Sequence, residues 1–80
     1  MQQVFLHHID DMQWLRDVHL RALPPSAGKS LLECRSAVVV GNEDCPDKIE
    51  LYWSRSPLAY EMPAAVLVRG EDGELTEEAA

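Results

Sequence analysis

Three histidines, two cysteines and an adjacent aspartate pair are the side chains here with the chemistry to hold a metal or attack a substrate. His7, His8 and His19, with Asp10 and Asp11, supply nitrogen and oxygen donors, and Cys34 and Cys45 supply two sulfurs. Their spacing does not converge them. Histidine ligands gather on one helical face in a His-x3-His pattern, which is absent from the chain. On a strand, His7 and His8 would point to opposite sides. The cysteines are isolated rather than paired in a Cys-x2-Cys knuckle. The sequence therefore predicts no metal site and no cofactor.

Gly28-Lys29-Ser30 has the ending of a phosphate-cradling loop, but the required earlier glycine is replaced by Leu23. That loop also needs a strand before it, whereas a helical pattern and Pro24-Pro25 come first. No serine or cysteine sits in a pattern resembling a strained nucleophile elbow. The carboxylates fall in turns and in the tail, where solvent is expected to keep them ordinary acids. No catalytic residue is assigned, and the chain reads as a non-enzyme.

Charge is far more informative. Residues 1–40 carry four basic and four acidic side chains, whereas residues 41–80 carry Lys48, Arg55 and Arg69 against ten acids, which accounts for the whole net charge of −7. A negative field of this kind favours a cationic partner and disfavours bare nucleic acid or an anionic membrane. Glu43, Asp44 and Asp47 form one acidic loop, and Glu71, Asp72 and Glu74 belong to a second acidic stretch near the C-terminus. Together the two could imitate the regular charges of a nucleic-acid backbone. The bland alternative is that they only keep the protein soluble.

These residues need elements to place them. Val4 to Ile9 reads as a strand, with Val4, Leu6 and His8 on one side and Phe5, His7 and Ile9 on the other. Asp10 is then the expected helix N-cap, with Gln13 as its capping-box partner and Ile9 and Trp14 as a hydrophobic staple. Met12, Leu15, Val18, Ala22 and Leu23 form the apolar helix face, with Arg16, Asp17 and Arg21 outside it. Pro24-Pro25 ends the helix. A single helix from about Val4 is the rival reading.

Ser30-Leu31-Leu32-Glu33 fits a second capping box, although the following run from Cys34 to Val40 ends in three valines, which favour strand. Gly41 to Asp47 is a turn cluster. Lys48 to Ser54 alternates, placing Ile49, Leu51 and Trp53 inward and Glu50, Tyr52 and Ser54 outward, so the two runs predict a hairpin. Cys34 and Cys45 flank its turn. A disulfide there would add ~2–3 kcal/mol, but free thiols fit the reducing compartment expected for this chain. Ser56 to Pro63 is irregular, Ala64 to Arg69 is a strand, and Asp72-Gly73 marks a turn before a short return over Glu74 to Thr76.

The predicted architecture is α+β, a small two-layer domain of order β-α-β-β-β. One helix (about 11–23) packs on a 3–4-stranded, mostly antiparallel sheet. Residues 1–76 form a single domain and 77–80 a frayed acidic C-terminus. No apolar run reaches the ~18 residues of a membrane span and no secretory signal precedes the first strand, so a cytoplasmic location is expected.

Tyr52 and Tyr60 stand beside Glu50 and Glu61, and aromatics in such settings are favoured binding residues. The partner-binding residues expected are therefore Glu43, Asp44, Asp47, Glu50, Tyr52, Tyr60, Glu71, Asp72 and Glu74. The functional expectation is a small protein-binding inhibitor or modulator, of the kind phages and mobile elements direct against host defences. It would occupy a basic, nucleic-acid-binding surface of another protein, without touching nucleic acid or membrane itself. The alternative is a structural or accessory subunit, acting as a homodimer or within a larger bacterial complex.

Overall fold

The computed structural model describes residues 2–21 and 33–78. Strand β1 (Gln3–Leu6) leads into helix α1 (Ile9–Leu15), which continues as a π-helical segment over Arg16–Leu20. Four further strands follow: β2 (Ser36–Gly41), β3 (Pro46–Tyr52), β4 (Ala65–Arg69) and β5 (Leu75–Glu77). The protein is an α+β domain with one helix on an antiparallel sheet. The sheet has five strands rather than three or four, in spatial order β1-β2-β3-β4-β5. The added strand is the short return after Gly73. Its pairing runs past residue 76, with Glu77 opposite Leu67 and the Glu78 amide donating to the Val66 carbonyl at 2.8 Å. The boundary expected at residue 76 therefore falls inside β5.

The core follows from the period-2 alternation of the strands. Leu6, Ala37, Val39, Ile49, Leu51, Ala65 and Leu67 are buried on one sheet face and meet Met12, Leu15 and Leu20 from the helix. Cross-strand register aligns them, with Leu6 opposite Ala37, Ala37 opposite Leu51 and Leu51 opposite Ala65. The opposite face presents Phe5, Val38, Glu50 and Val66 in one row and Gln3, Val40, Lys48 and Val68 in the next. No second layer of secondary structure covers that face among the described residues.

The helix departs from expectation in its cap and in its phase. It begins at Ile9 with His8 as N-cap and no side-chain capping bond, so Asp10 lies inside the first turn. Gln13, the expected partner of Asp10, donates instead to Asp17 at 3.1 Å. Ile9 is 69% exposed and forms no staple; Trp14 packs against the core and meets His19 edge-on at 5.4 Å. After Leu15 the helix widens, with the Arg21 amide donating to the Arg16 carbonyl five residues back at 2.9 Å. Wider turns bring Leu20 beneath Leu15 and rotate Val18 outward, which is why Val18 is 49% exposed and Leu20 only 4%. Ala22, Leu23 and the whole Pro24 to Leu32 stretch, including Gly28-Lys29-Ser30, lie outside the described residues.

Two further expectations change. Trp53 lies one residue past the end of β3 and is 47% exposed, so it is not a core residue. Arg16 is half-buried and donates to the Cys34 carbonyl at 2.8 Å, tying the helix to the start of β2. The hairpin places Cys34 near the Tyr52 end of the sheet and Cys45 at the turn, and both thiols are free.

Candidate functional site: an acidic end and a groove on the outer sheet face

Antiparallel order brings the β2–β3 turn and the β4–β5 turn to the same end of the sheet. Glu43, Asp44 and Asp47 come from the first turn, and Glu71, Asp72 and Glu74 from the second; all six are exposed. Each turn is held by local bonds. The Asp44 amide donates to Asn42 Oδ1 at 2.8 Å, and the Glu74 amide donates to Asp72 Oδ1 at 3.0 Å. Gly41 sits at a register shift with φ +96 and lets β2 bend into its turn.

Arg69 joins the two turns. Its Nε donates to the Pro46 carbonyl at 2.8 Å and its Nη1 donates to the Gly73 carbonyl. Two of the guanidinium's donors thus go to backbone oxygens. His19, at the end of the helix, makes a 3.1 Å hydrogen bond between Nε2 and the Glu43 carbonyl. Val18, His19, Asp44, Cys45, Arg69 and Glu74 share one shallow cleft, so the two turns are spatial neighbours. Among the described residues the ion pair is Arg21–Asp17 at 3.1 Å, in the other half of the chain. None of the six carboxylates forms an ion pair among the described residues.

Three of the expected site residues lie elsewhere. Glu50 and Tyr52 project from the outer sheet face, and Tyr60 is on the loop from 53 to 64. That loop turns back through the Glu61 amide, which donates to the Leu58 carbonyl at 3.0 Å, and rejoins the sheet where Ala64 donates to Leu51 at 2.7 Å. Between loop and sheet runs a groove of about 460 Å³ lined by Phe5, Val38, Tyr52, Pro57, Leu58 and Glu61, among others. Burial pushes the Tyr52 phenol upward, and the Glu50 and Glu61 carboxylates add to the effect. Leu58 is 58% exposed, and Tyr60 and Met62 are each 82% exposed.

Sequence reasoning missed Arg69 as a tie between turns, because nothing in its local pattern marks a side chain that will reach two loops. It also missed Leu58 and Met62, which stand in an irregular segment without periodicity to assign them a face. The alternation of β1 separated Phe5 from Val4 and Leu6, and the structure puts Phe5 on the outer face.

Of the chemically capable residues, no group of three or more His, Cys, Asp or Glu is arranged to hold a metal ion among the described residues. Cys34 is fully buried, and its thiol is pushed up to about 11 by that burial, opposed by Arg16 and reinforced by Glu33. A thiol so raised is a poor nucleophile at neutral pH. No described helix is long and apolar enough to cross a membrane. The fold defines a small α+β domain, and the chain matches no family model, no curated protein and no solved structure.

Proposed function

We propose that this protein is a non-catalytic binding module whose acidic end occupies a basic, nucleic-acid-binding surface of another protein and so inhibits or modulates it. The observation that carries the reading is the meeting of two acidic turns at one end of the sheet, bridged by Arg69 through backbone carbonyls. Six exposed carboxylates that form no ion pair among the described residues outnumber the one guanidinium, Arg69, set between them, which leaves a net negative field that can steer and hold a cationic partner. A net charge of −7 sets the same sign at long range. The buried, upward-shifted Cys34 thiol supports a role without covalent catalysis.

The test is capture from a bacterial lysate on immobilised protein, eluted with stepped salt. The comparison is a variant carrying Glu43→Gln, Asp44→Asn, Asp47→Asn, Glu71→Gln and Glu74→Gln. Asp72 is kept because its carboxylate holds the Glu74 amide. Basic nucleic-acid-binding proteins should be retained by the wild type, released as salt rises, and lost from the variant at unchanged melting temperature. Equal capture by both proteins would refute the proposal.

A second reading, an accessory or homodimeric subunit, is supported by the exposure of Phe5, Leu58, Tyr60 and Met62. Sedimentation at rising concentration decides the homodimer case.

A further inference from the structure

The groove between the outer sheet face and the loop from 53 to 64 combines an apolar lining with an acidic rim. Its floor and wall are apolar: Phe5 and Val38 from neighbouring strands, Pro57 and Leu58 from the loop. Its rim is acidic, since Glu61 lines it and Glu50 stands directly opposite Val38 across the sheet. Tyr52 lines the same groove, and after burial the Glu50 and Glu61 charges both push its phenol upward. Neither Glu50 nor Glu61 forms an ion pair among the described residues. Lys48 shares the face one row further along, opposite Val40 and Val68.

We infer that this groove is a second docking site, for an extended segment of a partner protein in which a large apolar side chain stands beside Arg or Lys. The apolar side chain packs against Phe5, Val38 and Leu58, and the cation reaches Glu61 or Glu50. Charge complementarity selects this occupant over the alternatives. A second copy of the chain would bring its own Glu50 and Glu61 against the same face, with −7 on each partner. An anionic lipid surface meets the same repulsion. A basic apolar segment removes the exposed apolar surface and answers the free carboxylates together. Among the described residues β1 is an edge strand with no strand paired on its outer side, which suits a segment laid alongside.

The inference shares with the proposed function only the reading as a binding module, and it uses different residues. The probe is a displayed library of random dodecapeptides panned against the full chain. The tightest peptide is then measured by fluorescence anisotropy on wild type, Leu58→Ser, Glu61→Gln and the five-carboxylate variant. Enriched peptides should carry an apolar residue beside Arg or Lys. Leu58→Ser should weaken binding about tenfold, from lost apolar burial, and Glu61→Gln about threefold with a shallower salt dependence. The five-carboxylate variant should bind the peptide as wild type does.

Both single substitutions are at surface positions, and unchanged melting confirms that the fold is intact. No enrichment, enrichment of peptides without basic residues, or binding indifferent to Leu58→Ser would overturn the inference. So would a concentration-dependent dimer that blocks the peptide. Loss of peptide binding only in the five-carboxylate variant would move the site to the acidic end. Lysate capture indifferent to the five-carboxylate variant would instead strike the proposed function and leave the groove standing.

Discussion

Gly41→Ala is the substitution whose cost can be worked most fully from the structure. Gly41 adopts φ +96, a region in which an alanine is strained by about 1–2 kcal/mol. A Cβ placed there would also meet Asp47 Oδ2 at 2.7 Å, its Cγ at 3.2 Å and its backbone nitrogen at 3.2 Å. The carboxylate can swing away, but the nitrogen belongs to β3 and cannot, so the contact adds about 1 kcal/mol. The expected total is about 2–3 kcal/mol, or a fall of about 8–24 °C in melting temperature for a domain of this size.

Gly73→Ala is the control. Its φ is +84, yet nothing lies within 4 Å of the added Cβ, so only the backbone strain of about 1–2 kcal/mol remains. Urea denaturation of the two variants against wild type measures the difference. If Gly41→Ala costs no more than Gly73→Ala, the close approach of β2 to Asp47 is not as described. If both cost under about 0.5 kcal/mol, the positive-φ turns themselves are in error.

Other outcomes follow from the same coordinates. Leu67→Ala, at a fully buried position in the middle of β4, should destabilise by about 2–5 kcal/mol in the same urea assay. A thiol reagent at pH 8 should label exposed Cys45 at once and leave Cys34 untouched until the protein unfolds, as mass spectrometry would show. The raised Cys34 thiol also sets an alkaline limit. An unfolded chain releases that proton near 9.0 and the folded one near 11, so above 9.0 the folded state holds more protons. Its stability contribution is complete below pH 9.0 and declines through the folded value, at most by about 1.4 kcal/mol per pH unit. Cys34→Ala should flatten that decline in urea titrations at stepped pH.

The sheet was legible because its strands alternate. Ile49, Leu51, Glu50 and Tyr52 declare their faces by period alone, and the turn residues on either side of β3 mark its hairpins. What period cannot supply is a change of period. The π-helical segment shifts the apolar phase from Val18 to Leu20, and no local residue preference announces it. The Asp10 cap failed for a related reason: the helix begins two residues earlier than expected, at Ile9, because the His8 carbonyl already accepts from Met12 at 3.0 Å. Trp53 was misplaced because alternation was extended one residue beyond the point where β3 leaves the sheet.

The candidate site divides in the same way. Its charges could be counted from the chain, and their grouping into two turns could be read from Gly, Asn and Asp. That the turns meet depends on strand order, which a five-stranded meander fixes and a sequence of this length does not declare. Arg69, which binds both turns, is a long-range contact across more than twenty residues. Glu50, Tyr52 and Tyr60 were expected in one surface with the acidic turns. The fold instead assigns Glu50 and Tyr52 to the sheet face, with Tyr60 on the exposed loop beside that groove.

Whether the two turns form one continuous negative surface can be measured without knowing any partner. Amide relaxation by a cationic and an anionic nitroxide cosolute reports the near-surface potential residue by residue. The cationic probe should be strongly favoured at the amides of Asn42 to Asp47 and of Glu71 to Glu74 alike, with both regions losing that preference in the five-carboxylate variant. A preference at only one turn, or one no stronger than at the helix surface around Gln13, would contradict it.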